Sequence, residues 1–214
     1  MVKKISALLL AGALAFSLAA CGKEDSVTPP GAANPGAPAA STPASSGSGE
    51  VTGLTEAFAE SPILLTTGGQ SADYQMVGTL MKNLGMDYTM NNVATSADLG
   101  DAKTLVVVVG GSSKGLGAAG IDADGELARV DELMQGAESA GLSIIVMHTG
   151  GSARRGDLSD KFIAPIFEKA DYAVVVKAGD EDGLMAGLCA DNGIPMDLID
   201  AISDVATVLP NAFK

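Results

Sequence analysis

The sequence predicts an α/β fold: a single three-layer domain with about five parallel strands between helices, in a flavodoxin-like or Rossmann-like order, 2-1-3-4-5. Three observations lead there. Leu105-Val106-Val107-Val108-Val109 is apolar at every position, as a central strand covered on both faces requires. From Ser61 onward, short apolar runs alternate with segments whose apolar residues recur at helical spacing, which implies right-handed crossovers. Residues 61–214 are enough for one core, too few for two, and show no internal repeat.

The elements follow in order. Ile63 to Thr67 reads as the first strand, Ser71 as an N-cap, and Met76, Val77, Leu80, Met81 and Leu84 as one helical face that Gly85 ends. Tyr88 to Val93 is a weaker strand, and Leu105 to Val109 the central one. Asp124 to Ala140 forms a helix with Leu127, Val130, Leu133, Met134 and Ala137 inward and Gly141 after its end. Leu142 to Met147 is the next strand. Phe162, Ile163, Ile166, Phe167 and Ala170 line a helix capped by Ser159 or Asp157, which Pro165 should bend or delay. Tyr172 to Val176 is the last strand. Leu184, Met185, Leu188 and Cys189 mark a helix ending near Gly193, and Ile194-Pro195 leads into a final helix carrying Leu198, Ile199, Ile202, Val205 and Leu209.

The N-terminus has a different character. Lys3 and Lys4 precede an apolar run from Ile5 to Leu18 and then Ala19-Ala20-Cys21, a secretory signal too short to span a membrane. Leu18-Ala19-Ala20-Cys21 resembles the lipobox of bacterial lipoproteins, which implies cleavage after residue 20 and diacylation of Cys21. That places the protein in the bacterial cell envelope, anchored to the lipid bilayer through Cys21 and facing outside the cytoplasm. Residues 21–60, rich in Pro, Gly, Ser and Ala, read as a disordered tether that holds too little apolar surface to fold. Cys189 is then the remaining cysteine, a small buried hydrophobe by context, so no intrachain disulfide forms. A formal charge of −13 excludes nucleic-acid binding by bulk electrostatics.

In an open parallel sheet, ligands bind beyond the carboxyl ends of the strands. The loops expected there are Thr66 to Ser71, Gly110 to Gly120, His148 to Asp157 and Lys177 to Gly183. Glycine backbone N–H groups and serine hydroxyls suit an anion, and Lys114, Arg154, Arg155 and Lys177 bring scarce positive charge to the same rim. The candidate ligand-binding residues are Gln70, Ser71, Gly111, Ser112, Ser113, Lys114, Gly115, His148, Gly150, Gly151, Arg154, Arg155 and Asp180. The competing reading pairs these cations with Asp157, Asp160, Asp180 and Asp182.

Other chemistry fits less well. Gly110 to Gly115 lacks the spacing of a phosphate loop, and Gly115 to Gly120 matches G-x-G-x-x-G only late in a long loop. His148, the only histidine, sits at a strand end near Ser112 and Ser113, so a hydrolase can be drawn from these three. No G-x-S-x-G elbow accompanies them, and neither serine is expected in a sharp strand-to-helix turn. One histidine cannot hold a transition metal unaided, and Asp180-Glu181-Asp182 matches no calcium loop and reads better as a helix cap. No metal and no cofactor are expected.

Gly69-Gln70-Ser71, Gly110 to Gly120, His148 to Gly156 and Gly179 to Gly183 together resemble an uncharacterised bacterial secreted family known only as a domain of unknown function. The resemblance spans nearly all of residues 61–214 and brings no activity or ligand with it. The expected function is that of an extracytoplasmic lipoprotein binding a small anionic molecule of carboxylate, phosphate or sulfate type. A His148 hydrolase and a protein-interaction module of a membrane complex are the alternatives.

Overall fold

The computed structural model describes residues 51–214. The segment read as a signal, Cys21, and residues 21–50 of the expected tether lie outside the described residues. Six parallel strands form one sheet: β1 (Ile63–Gly68), β2 (Tyr88–Met90), β3 (Thr104–Val109), β4 (Ser143–His148), β5 (Tyr172–Val176) and β6 (Met196–Ile199), ordered β2-β1-β3-β4-β5-β6. The expected order 2-1-3-4-5 is extended by one strand at the β5 edge. Helices α1 (Asp73–Asn83), α2 (Ser113–Ala119), α3 (Ala123–Ala140), α4 (Asp157–Phe167), α5 (Leu184–Asn192) and α6 (Val205–Val208) complete the fold.

The period of two along each strand sorts the core into two layers. Leu105, Val107, Val109, Ile144, Val146 and Val175 pack with Val130, Leu133, Phe162, Ile166 and Met185 of α3, α4 and α5. Ile63, Leu65, Val106, Val108, Ile145 and Met147 pack with Val77 and Met81 of α1 and Val205 of α6. All six residues of β3 are buried, and it hydrogen-bonds β1 on one side and β4 on the other. Gly120, Gly141 and Gly193 close α2, α3 and α5 in the left-handed conformation.

Four local expectations are corrected. Leu198 and Ile199 belong to β6 and not to a final helix, because Pro195 and Met196 bring the chain alongside β5, where Ala173 N donates to Pro195 O at 3.0 Å. β2 stops at Met90, since Val93 N turns to Asn91 Oδ1 at 3.0 Å. The stretch read as the loop Gly110 to Gly120 contains α2, so Ser112 does lie at a strand-to-helix junction, in an extended conformation. Neither Asp157 nor Ser159 caps α4; Gly156 occupies the N-cap, and Pro165 lies inside the helix without ending it.

The domain also begins before residue 61. Met196 N donates to Thr52 O at 3.0 Å, Phe58 N and Ala59 N donate to Ala212 O, and Lys214 N donates to Ala59 O at 3.1 Å. Ala59 is fully buried, Leu54 and Phe58 pack against the α1 and α6 layer, and the Phe58 and Tyr172 rings meet edge to face at 6.4 Å. Residues 51–60 are therefore part of the fold and not tether. Deleting them should remove roughly 2–4 kcal/mol of stability by lost burial and aromatic contact. Thermal unfolding of the full chain against the deletion checks this; an unchanged midpoint would return the segment to the tether.

Candidate functional site

In this strand order the chain leaves β1 toward β2 and then crosses to β3, so the topological switch point lies between the carboxyl ends of β1 and β3. The two loops there are hydrogen-bonded to each other. Gly110 N donates to Gly68 O, Ser112 N to Gly69 O and Ser71 N to Gly110 O, at 2.9, 2.9 and 3.1 Å. Gly69 has φ +103°, and a Cβ on it would lie 2.6 Å from Gly110 O. The glycines thus let two backbones meet, and they do not offer a free cradle of N–H groups. Gly111 N donates to Ser159 Oγ, and Gly115 N to Ser112 Oγ, both at 3.0 Å.

Behind this junction sits a buried ion pair. Glu126, fully buried on α3, accepts from Gly69 N at 2.9 Å and from Gln70 Nε2 at 3.1 Å. Arg129 donates to both Glu126 oxygens at 2.8 Å and reaches Ala94 O at 2.6 Å and Thr67 O at 2.7 Å. All but the Ala94 contact lie at the β1 exit, so the pair fixes the left-handed Gly69-Gln70 turn (Gln70 φ 61°) from below and ties it to the segment after β2. Gln70 Nε2 also donates to Asn92 O at 2.7 Å, and its Oε1 accepts from Asn92 Nδ2 at 2.9 Å. Its amide is consequently internal structure and not a free ligand donor.

Above the junction opens a cavity of about 440 Å³ lined by Gln70, Ala72, Tyr74, Gln75, Asn92, Ser112, Lys114, Gly115, Ala118, Ala119 and Arg154. Lys114 is exposed and makes no ion pair among the described residues. Arg154 Nε donates to Asp73 Oδ2 at 2.8 Å, an oxygen that also accepts from the Ser71 hydroxyl, while the two terminal guanidinium nitrogens have no hydrogen bond among the described residues. Lys114 and Arg154 therefore share one cavity. A second cavity of about 400 Å³ lies at the opposite edge, between residues 51–55 and the chain entering β6; its lining of Val51, Thr52, Cys189 and Pro195 among others is uncharged.

The remaining candidates have structural partners. Arg155 is held by Asp160 and Asp182 at 2.8 and 2.7 Å and donates to Gly179 O at 2.6 Å. Those two carboxylates raise its pKa further, and Arg155 in turn holds Asp182 down to about 2. The pairing alternative thus accounts for Arg155, which is no clamp. Lys177 pairs with Asp200 at 2.7 Å. Asp180, pushed up by burial, accepts from Met185 N and Ala186 N at 2.7 and 2.9 Å, which makes it the cap of α5 rather than a ligand group. Ser71 is buried against Asp73, and Ser113 is exposed at the start of α2. Gly111, Gly150 and Gly151 do not line the cavity.

His148 is fully buried, with Nε2 2.9 Å from Arg154 O and Nδ1 without a partner. No serine hydroxyl bonds to either ring nitrogen; Ser112 Oγ caps α2 instead. The Ser-His arrangement is not assembled. Among the described residues no group of three or more His, Cys, Asp or Glu side chains is placed to hold a metal, and no helix is long and apolar enough to cross a membrane.

Fold and cavity define an open α/β domain with a cationic crevice at its switch point. The chain belongs to the family described as Domain of unknown function (DUF6305), whose model matches residues 60–213. No curated protein matches the chain. Among solved structures it is similar to TesA (13% identity over 63% of this chain and 77% of that chain, TM-score 0.29). It is likewise similar to the psychrotrophic esterase EstA from Pseudoalteromonas sp. (12% identity, 64% and 76%, TM-score 0.30). A GDSL-like lipase from Bacteroides thetaiotaomicron VPI-5482 gives 11% identity, 63% and 65%, and a TM-score of 0.30.

Proposed function

We propose that the switch-point cavity binds a small organic anion, with the ammonium of Lys114 and the outer guanidinium nitrogens of Arg154 as its partners. The observation that supports this most is the sorting of the rim cations. Arg155 and Lys177 are paired with carboxylates, whereas Lys114 and the outer face of Arg154 face one cavity. The Ser112 and Tyr74 hydroxyls join the two cations as donors on the cavity wall, and the Gln70 and Asn92 amides bond to each other, so an acceptor-rich carboxylate, sulfonate or phosphate ester suits the site better than an amine. Ala72, Tyr74, Ala118 and Ala119 add an apolar wall for a carbon skeleton, and the volume is of small-molecule size.

The same proposal sets this domain outside the cytoplasm on a lipid anchor at Cys21. Its support is Lys3-Lys4, the apolar run to Leu18 and the Leu18-Ala19-Ala20-Cys21 sequence. Metabolic labelling with a fatty acid, lost in Cys21→Ser, tests the anchor.

A thermal-shift screen of carboxylates, sulfonates and phosphate esters should yield a ligand, since binding only the native state raises its stability. Calorimetry should then show that Arg154→Ala and Lys114→Ala each weaken the best hit by about ten- to a hundred-fold, the loss of one charged hydrogen bond of roughly 1.5–3 kcal/mol. Arg155→Ala should lower the thermal midpoint and leave affinity alone. Wild-type affinity in both cavity variants would sink the reading.

A further inference from the structure

The Arg154 side chain is held along its whole length. At the backbone, Arg154 O lies 2.9 Å from His148 Nε2. Along the stem, two glycines leave a slot: a Cβ on Gly150 would overlap Arg154 Cγ and lie 2.7 Å from Asp73 Oδ2, and one on Gly110 would lie 3.3 Å from Arg154 Cδ. At the head, Nε donates to Asp73 Oδ2 at 2.8 Å, an oxygen that also accepts from the Ser71 hydroxyl at 2.5 Å. Asp73 thus takes the guanidinium from the side. The edge of the two terminal nitrogens is left open, a planar fork that matches the two oxygens of one carboxylate.

Asp73 also sets the charge of the site. Lys114 and Arg154 are the cations on the cavity wall, and Asp73, whose side chain is 15% exposed, cancels one of them. Glu126 and Arg129 below the junction cancel each other. Two cations less one carboxylate leave one positive charge, in a chain whose formal charge is −13. The attraction that a site offers rises in proportion to the charge of an anion, whereas the cost of taking that charge out of water rises with its square. One excess positive charge therefore offsets the dehydration of a monoanion and falls short for a dianion, which the field of the remaining chain also repels.

We propose that the cavity selects a monocarboxylate: its two oxygens meet the outer edge of Arg154, Lys114 supplies the countercharge, and Asp73 is the positioning residue that aims the guanidinium and disfavours dianions. This inference rests on the anion reading of the cavity and narrows it to one ligand charge. Ala72, Ala118 and Ala119 then face the carbon skeleton.

The test titrates matched pairs into the full-length protein near pH 7.5, where both carboxyls of a diacid are ionised. Succinate, adipate and phthalate are each set against the monoamide, which keeps the skeleton and loses one charge. In the best-binding pair the monoamide should bind at least about tenfold more tightly. Asp73→Asn keeps an oxygen to accept from Arg154 Nε and Ser71 but removes the charge, so the gap should close to within about twofold or reverse. Ala118→Lys, at an exposed position on the cavity wall, adds a cation and should close the gap in the same way. It leaves Asp73 untouched, so it decides the matter if Asp73→Asn fails to fold. A gap that persists in these variants overturns the inference, because a merely structural Asp73 would change both affinities alike. A diacid that binds as tightly as its monoamide, and weakens in Lys114→Ala and Arg154→Ala, overturns the inference and leaves the anion reading standing. Affinity that survives both of those substitutions, or no binding by any member of the pairs, overturns the two together.

Discussion

Glu126→Ala should destabilise the protein by about 3–5 kcal/mol, because it strands the buried Arg129 charge without its partner. In a domain of this size that corresponds to a fall of roughly 6–20 °C in the thermal midpoint. The side chains are 0% and 8% exposed, so water cannot replace the lost carboxylate without opening the β1 exit. The usual remedy for a buried pair, replacement of both partners by apolar residues, should recover little here. Gly69 N, Gln70 Nε2, Thr67 O and Ala94 O would each lose a partner as well. Calorimetric unfolding of Glu126→Ala and of the double variant Glu126→Leu/Arg129→Leu measures both effects. A loss below about 1 kcal/mol in the single variant would mean that the pair contributes no more than a surface bridge does.

Gly115→Ala should be the second large effect. A Cβ at that position would lie 2.0 Å from Gln70 O and 3.0 Å from Gln70 C, both backbone atoms that cannot swing aside. Either α2 must lift from the β1 exit or the Gln70 peptide must turn, and overpacking of this kind costs roughly 1–3 kcal/mol. Both residues line the cavity, so stability and ligand affinity should fall together. Gly117→Ala, two residues along the same helix, meets nothing within 4 Å and should instead stabilise by about 0.5–1 kcal/mol. Two such variants with equal midpoints would show that α2 does not rest on Gln70 as described.

The strands were the most legible part of the sequence, because β1, β3, β4 and β5 are apolar runs that the sheet buries on both faces. β6 was not, since it has only four residues, of which Met196 and Ile199 alone are buried, and it follows a proline. α2 was hidden for a different reason: Ser113-Lys114-Gly115-Leu116-Gly117-Ala118-Ala119 has one large apolar side chain and two glycines, so its helix depends on the Ser112 cap and on docking against Gln70. The rim cations were visible as a group, but their sorting depended on which carboxylate the fold brought to each. Glu126 was missed entirely. Its signal was present in the Glu126 and Arg129 spacing of three on the face that also carries Val130, where an inward charge calls for an inward partner.

Ala59 and Phe213 form a parallel bridge, with Lys214 N closing onto Ala59 O. The segment before β1 is thus stitched to residues 212–214, and each holds the other in place. A pull entering from residues before 51 would meet the Thr52–Met196 bond and the Ala59 bridge in turn before it reached β1. The contacts at these two points should therefore act as a mechanical fuse in series with the sheet, yielding first and leaving the switch-point crevice, at the opposite, carboxyl end of β1, undisturbed.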